Sequence, residues 1–214
     1  MSLPLIRWDA PGPYVVAFST RAGGVSDGPF ESLNLGRHPA RAPEHRDRPE
    51  NVEENRRRLC TAVGADAGAL ALNRQIHSAT VHRAHAAARG EPGDGLWSDE
   101  PGLPMLKLVA DCVPIALARA NGEAPALALL HAGWRGLLEG VVASGATALG
   151  PARFAAVVGP AIGPCCYEVG REVAEPFAAS FGSDVLRGRN LDLWTSAERA
   201  LRVAGLASVE RLDL

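Results

Sequence analysis

Three side chains that commonly bind soft metal ions follow apolar runs of strand length. His77 and His131 each come directly after such a run, and Cys112 lies just beyond another. If these strand ends are neighbours, two imidazoles and one thiolate meet at one edge of a sheet. Three protein ligands leave a fourth position open for water or substrate, which is the coordination of a catalytic rather than a structural zinc site. Copper suits the same ligands, so the residues predict a soft-metal site without fixing the metal.

The spacing does not by itself identify the first histidine. His82 and His85 lie close to His77, and any of the three can supply the ligand. Taken singly, a cysteine after a strand is more often a core residue, and a histidine there more often caps a carbonyl than binds a metal. The sequence pattern therefore leaves this choice open.

Neighbours of these ligands offer further chemistry. His131 opens the segment HAGWRG, whose two glycines, indole ring and Arg135 guanidinium suit an anion or a flat ring held at a strand-to-helix turn. Asp111 directly precedes Cys112 and is either a general base beside the metal or a carboxylate that orients a histidine ligand. We take Cys112, Asp111 and Arg135 as candidate catalytic residues.

A glycine-rich segment over residues 21–36 is a second candidate for anion binding. Arg21 stands at its head and Asn34 near its end, and its backbone amides can bind phosphate together with the arginine. No Gly-Lys-Ser/Thr follows, so the segment is not a P-loop, and it lacks a dinucleotide-binding fingerprint. A purely structural turn explains the glycines equally well.

Hydrophobic patterning predicts the strands that position these residues. Apolar runs of strand length lie at 14–18, 69–76, 105–110, 115–118, 126–130 and 154–158. The runs 105–110 and 115–118 are joined too tightly for a helical crossover, so a purely parallel sheet is not expected.

Helical patterns alternate irregularly with the strands. Apolar residues at helical spacing occupy 51–63 and 137–149, and a weaker helix over 172–181 contains Pro176. A capping box that opens at Thr195 starts another helix, which stops at Gly205. We therefore expect a mixed α/β (α+β) fold, a layered sandwich of mixed β-sheets flanked by helices in a single domain.

Length and composition exclude several classes of protein. With 214 residues, 47% of them hydrophobic, the chain can bury one core, and we expect one domain over 1–214. The 22 lysines and arginines against 24 acids give a net charge of −2, which argues against nucleic acid and for a small-molecule partner. No apolar stretch reaches the roughly 18 residues of a membrane span, and no signal-peptide core is present, so we expect a cytoplasmic protein. Four irregularly spaced cysteines suit reduced thiols.

Several specific motifs occur in order across most of the chain. They are STRAGGVS (19–26) with SLNLG (32–36), QIHS (75–78), DGL (94–96) with Asp99, ADCVP (110–114), HAGWRG (131–136), and GPAI (159–162) with YEVG (167–170). With these motifs the sequence resembles the YfiH-like laccase-domain family, formerly described as multicopper polyphenol oxidoreductases and now as zinc-dependent purine nucleoside phosphorylases.

The resemblance implies a ligand set and an activity. In the family the first histidine ligand stands two positions after a glutamine, as His77 stands after Gln75, so His77, Cys112 and His131 are the expected zinc ligands. The implied activity is phosphorolysis of adenosine, inosine, guanosine and methylthioadenosine to the free base and ribose 1-phosphate, together with adenosine deamination. Purine nucleosides and phosphate are then the partners of a monomer or small homo-oligomer.

We assign the remaining candidate residues to the substrates. Arg21, Asn34 and Gln75 are expected to contact substrate or phosphate, and Arg135 to contribute to the phosphate site. Family members usually continue beyond the helix at 191–205 with a Cys-Thr pair and a Tyr/His-Arg-Arg stretch. This sequence stops at Leu214, so it is either a short member of the family or a truncated sequence, and we expect the contacts of that stretch to be absent.

Three other functions are compatible with the same residues. Cys112 activated by His131 would make a metal-free, amidase-like hydrolase. A metal that only stabilises the fold would make a non-catalytic binding module. A polyphenol oxidase is the weakest alternative, because the sequence lacks the histidine-rich motifs that a multicopper centre needs.

Overall fold

A six-stranded mixed sheet forms the centre of the computed structural model, which describes residues 3–37, 42, 45–206 and 208–212. The strands of the whole structure are β1 (Leu5–Trp8), β2 (Val16–Ser19), β3 (Leu72–Arg74), β4 (Val81–Arg83), β5 (Arg89–Pro92), β6 (Gly95–Ser98), β7 (Val113–Arg119), β8 (Leu127–Ala132), β9 (Phe154–Val158), β10 (Leu186–Arg187), β11 (Asn190–Leu191) and β12 (Ser208–Arg211). Its helices are α1 (Pro49–Ala62), α2 (Trp134–Glu139), α3 (Val141–Leu149), α4 (Arg171–Phe181) and α5 (Leu193–Val203). Residues 1, 2, 213 and 214 of the expected domain lie outside the described part of the chain.

The strand order of the main sheet is β12-β9-β7-β8-β6-β4. Its central pairs β9–β7, β7–β8 and β8–β6 are antiparallel, whereas the outer pairs β12–β9 and β6–β4 are parallel. Three two-stranded sheets, β1–β2, β3–β5 and β10–β11, surround it. The prediction of a mixed rather than a parallel sheet is confirmed.

Side-chain alternation along the central strand β7 builds two cores. Ile115 and Leu117 are buried against the helical side, in a cluster that also takes residues from α2, α3, α4 and α5. Ala116 and Ala118 point the other way and pack with Trp8 of the β1–β2 hairpin. A sheet buried on both faces needs continuous apolar strands, which is why β7 reads as an unbroken apolar run.

The buried Asn55 side chain of α1 forms hydrogen bonds to the glycine-rich segment 21–36. The Asn55 amide donates to the Ser26 hydroxyl at 2.8 Å and to the Asn34 carbonyl at 2.8 Å. Its side-chain oxygen accepts the backbone amide of Val25 at 2.8 Å. The segment is therefore an ordered loop whose backbone groups bond to the fold.

The run 105–110, which the sequence predicts as a strand, is neither a strand nor part of the main sheet. Met105 forms only an isolated bridge with Ala71, and β7 pairs with β8 and β9 instead. The Gln75 side chain donates to the Leu108 carbonyl at 2.6 Å and accepts the Leu108 amide at 2.9 Å. A side-chain amide thus takes the backbone bonds that a neighbouring strand would have made.

Two helix predictions also need correction. The helix expected over 137–149 is divided at Gly140, whose φ of 88° lies in the left-handed region where glycine alone is unstrained. The last helix begins before Thr195, because Asp192 is its N-cap and accepts the Thr195 amide at 2.9 Å. None of the helices in the described ranges is both long and apolar enough to cross a membrane.

Candidate metal centre

The antiparallel pairing of β7 and β8 brings two of the candidate ligands, Cys112 and His131, together. Pro114 faces His131 across the two strands, so Cys112, just before β7, lies beside the end of β8. His77 arrives from the segment after β3. The ligand atoms of His77, Cys112 and His131 all lie within 4.8 Å of one another, and the two imidazole centroids are 5.0 Å apart.

The competing histidines lie elsewhere. The His82 ring pairs through Nε2 with the Pro92 carbonyl at 2.9 Å, and its Nδ1 is 3.4 Å from a carboxylate oxygen of Glu91. His85 is exposed. Of the three histidines that the spacing left open, it is His77 that the fold places beside Cys112.

A wholly buried carboxylate, Asp94, organises both imidazole segments. Its Oδ1 lies 2.8 Å from His131 Nδ1 and accepts the His77 amide at 3.0 Å. Its Oδ2 accepts the Ser78 amide at 2.7 Å and the Ile76 amide at 3.1 Å. Burial opposes ionisation, but the hydrogen bonds from His131, Ser78 and Ile76 outweigh it and hold the pKa of Asp94 well below its ordinary value.

This hydrogen bond decides which nitrogen of His131 is available. With Nδ1 donating to Asp94, the neutral ring presents an unprotonated Nε2 toward the other two candidate ligands. Two imidazole nitrogens and one sulfur match the chemistry of a soft divalent metal, and the carboxylate behind one imidazole is the usual support of a zinc ligand. The residues present therefore fit the metal that the sequence predicts.

Local backbone geometry lets the ligands approach one another. His77 has a φ of 64°, an uncommon left-handed conformation for a side chain of this size, and Asp94 holds its amide there. A Cβ on Gly133 would lie 2.9 Å from Cys112 Sγ and 3.1 Å from His77 Cδ2. Only glycine fits between these two ligands.

The Cys112 thiol is half-buried and electrostatically disfavoured as a free thiolate. Burial raises its pKa, and the negative charges of Asp111 and Asp94 raise it further. These surroundings do not activate a free nucleophile, whereas a bound cation would stabilise the thiolate.

The other candidate catalytic residues lie close enough to this cluster for their charges to act on it. Arg135 is exposed, and its guanidinium stacks 4.0 Å above the Trp134 ring. Its charge acts on both His77 and Tyr167. Asp111 is exposed. Burial raises the pKa of Tyr167 most, and the charges of Cys112 and Asp111 raise it further. The carboxylate that bonds His131 is Asp94, not Asp111.

The expected substrate contacts are engaged within the fold. Arg21 donates through Nε and Nη2 to the Glu31 carbonyl, at 2.9 and 2.6 Å. Asn34 donates to an Asp47 carboxylate oxygen at 2.9 Å. Gln75 bonds both backbone groups of Leu108, as described above, so these three side chains stabilise loops in this structure.

Sequence reasoning missed two residues of the site's surroundings. Asp94 was visible only as part of the DGL motif, with no signal for its role. Lys107, the one lysine of the sequence, contacts the Asn73 side chain and lies in the field of Asp94. Burial lowers the pKa of Lys107 to about 7, although the negative charge of Asp94 acts to raise it.

The fold and this cluster define a mixed α/β protein with a candidate three-ligand metal centre at one end of its main sheet. The family model described as "Multi-copper polyphenol oxidoreductase laccase" matches residues 15–214. The chain belongs to that family.

Relatives and solved structures agree with this membership. "Purine nucleoside phosphorylase PA4543" of Pseudomonas aeruginosa is 41% identical over 81% of this chain and 67% of its own length. The "Purine nucleoside phosphorylase" of Deinococcus radiodurans is 42% identical over 93% of this chain and 78% of its own length. The crystal structure of YlmD from Geobacillus stearothermophilus has a TM-score of 0.80 at 30% identity, covering 92% of this chain and 80% of that one.

Proposed function

We propose that this chain is a zinc-dependent purine nucleoside phosphorylase. It would convert adenosine, inosine, guanosine or methylthioadenosine and phosphate to the free base and the pentose 1-phosphate, and would also deaminate adenosine. The observation that carries the proposal is the convergence of His77, Cys112 and His131 in a chain whose relatives bear the phosphorylase name. Copper remains the alternative metal, since it accepts the same ligands.

His77, Cys112 and His131 would hold the metal. A zinc ion with three protein ligands supplies a Lewis acid at its fourth position and lowers the pKa of water there to about 7. Asp94 keeps His131 in the tautomer that presents Nε2. The chain itself therefore orients the metal ligands before any substrate binds.

Exposed charged groups and an aromatic ring beside the cluster would receive the substrates. Phosphorolysis requires phosphate beside the ribose C1′, and the exposed Arg135, fixed by stacking on Trp134, is the cation we assign to it. Asp111 is exposed near Cys112 and is the group we assign to proton transfer at the base. Arg21, Asn34 and Gln75 would act mainly by holding the loops around the site, since their side chains bond backbone or Asp47.

The test is chromatography of adenosine, inosine and methylthioadenosine incubated with zinc-loaded protein, with and without phosphate. We expect free purine base only when phosphate is present, and inosine from adenosine in both conditions. The Cys112→Ala variant should lose both products and bound zinc. The control is Cys165→Ser, which alters an exposed thiol outside the cluster.

Other outcomes would overturn the proposal. Full turnover by metal-free Cys112→Ala protein would end the zinc hypothesis. Cys165 and Cys166 are exposed and would also react with iodoacetamide, so this arm uses the Cys165→Ser/Cys166→Ser double variant. Turnover by that variant after metal removal, if iodoacetamide abolishes it, would identify a cysteine hydrolase. No product from a folded, zinc-loaded chain would point to a binding module.

A further inference from the structure

Three arginines from separate elements meet at a single carboxylate oxygen outside the candidate metal centre. Arg37 follows the glycine-rich loop, Arg56 belongs to α1 and Arg89 begins β5. Their guanidinium nitrogens lie 3.2, 2.8 and 3.7 Å from the same atom, Oε1 of Glu53.

The charges of this arginine cluster (Arg37, Arg56 and Arg89 around Glu53) do not balance. Three positive groups face one carboxylate, which leaves an excess of two positive charges. Only 5% of the Arg56 side chain is exposed. Burial lowers the pKa of its guanidinium, and the positive charges of Arg89 and Arg37 lower it further. The negative charge of Glu53 opposes this shift without cancelling it. Solvent therefore screens the buried charge of Arg56 poorly, whereas the charges of Arg37 and Arg89 are partly exposed.

The fold holds this cluster in place while leaving it open to ligands. Arg56 Nε donates to the Leu35 carbonyl at 2.9 Å, and the Arg89 backbone is fixed by pairing with Leu72. The Arg37 and Arg89 side chains are 53% and 36% exposed, so their guanidinium groups are accessible from solvent. Arginine forks match the oxygen spacing of a phosphate, and an ordered fork loses little entropy on binding.

We infer that the arginine cluster is a binding site for a small dianion, either inorganic phosphate or a phosphomonoester. The ligand lies against Arg37 and Arg89 on the open side and neutralises the two excess charges, with buried Arg56 behind it. Glu53 is the internal competitor, since its Oε1 occupies the focus of the guanidinium groups. This site is separate from the phosphate contact assigned to Arg135, and it stands whether or not the chain is a phosphorylase.

The test compares phosphate binding by the full chain and by charge variants. Inorganic phosphate and ribose 5-phosphate are titrated at constant ionic strength, with chloride as control, by calorimetry and by thermal shift. Arg89→Gln removes one guanidinium, and Glu53→Gln removes the competing charge. Arg153→Gln alters an exposed arginine that pairs with Glu123, and serves as the matched control. Each variant is also made with Cys112→Ala, which removes the candidate metal centre from the comparison.

The two cluster variants should change phosphate affinity in opposite directions. Arg89→Gln should abolish the phosphate-induced thermal shift, and Glu53→Gln should tighten phosphate binding about tenfold, because a like charge is removed at close range. Whichever of the two anions binds more tightly identifies the natural source. If Glu53→Gln and Arg89→Gln only lower the melting temperature and bind phosphate as the wild type does, the cluster is a structural ion-pair network. A phosphate response lost in Cys112→Ala but kept in Arg89→Gln, or matched by chloride, overturns the inference equally.

Discussion

Asp94 is the residue on which the geometry of the candidate metal centre depends most. In Asp94→Asn an amide replaces one acceptor oxygen, so at least one of the donors from His131 and residues 76–78 is left unsatisfied. We expect zinc affinity to fall about 10–100-fold, the usual effect of removing the partner of a histidine ligand. The measurement is competition against a chromophoric chelator.

The matched control for this prediction is Asp99→Asn. Asp99 belongs to the same sequence motif but forms an exposed pair with Arg83, so its loss should leave zinc affinity unchanged. Equal affinities of Asp94→Asn and wild type would show that the carboxylate does not orient the ligand.

Lys107 gives a pH-dependent prediction because its pKa is lowered to about 7 by burial. Below pH 7 the amine is charged in the folded and the unfolded chain, and the full cost of burying the charge is present. Between pH 7 and the ordinary value of 10.5 the folded amine is neutral while the unfolded one is charged, so stability rises with pH. Lys107→Met should therefore stabilise most at or below pH 7, with a gain that vanishes toward pH 10.5.

Two measurements check this titration. Melting temperatures of wild type and Lys107→Met are compared across the pH range. Because Lys107 is the one lysine of the sequence, reductive methylation with a carbon-13 label gives one lysine signal whose NMR titration reads the pKa directly. A midpoint near the ordinary value would contradict the prediction.

At the scale of elements, the turn from β8 to α2 controls whether the ligands can meet. Gly133→Ala places a methyl group within 2.9 Å of Cys112 Sγ and 3.1 Å of His77 Cδ2, so one ligand must move. We expect bound zinc to be lost, with a stability cost of about 1–3 kcal/mol from overpacking. Metal analysis and thermal unfolding in the same buffer separate these two effects.

Gly163→Ala is the comparison for this variant. The nearest atoms to its added methyl, on Cys165 and Trp194, lie 3.4 Å away, which is ordinary contact. It should retain zinc. Full zinc occupancy in Gly133→Ala would mean that the ligands do not need the close approach seen here.

Elements with a strong local pattern could be predicted, and those defined by tertiary bonds could not. The strand 154–158 and the helix near 51–63 were predicted closely because apolar spacing alone specifies them. The run 105–110 was wrongly predicted as a strand because it is apolar. In the fold, the Gln75 side chain takes the hydrogen bonds of its backbone at Leu108 instead. The role of Asp94 was equally hidden, since its partners come from distant chain segments that only the fold brings together.

At the scale of the whole molecule, metal removal should weaken the fold. A ligand that binds only the folded chain stabilises it in proportion to its affinity, so chelation of a tightly bound zinc should lower the melting temperature by roughly 5–15 °C. Cys112→Ala, which lacks one ligand, should show no such response to the chelator. If the chelator leaves the melting temperature of the wild type unchanged, the metal is weakly bound or absent.

The wide separation of the three candidate ligands along the chain bears on how a newly made protein would acquire a metal at this site. His77, Cys112 and His131 come together only after β7 has paired with β8 and Asp94 has bonded the 76–78 segment. An unfolded chain therefore offers no short chelating stretch and, among these residues, competes poorly for scarce metal. We expect the ion to be loaded into a finished scaffold, so the metal supply of the cell would set the active fraction of the protein without limiting its folding yield.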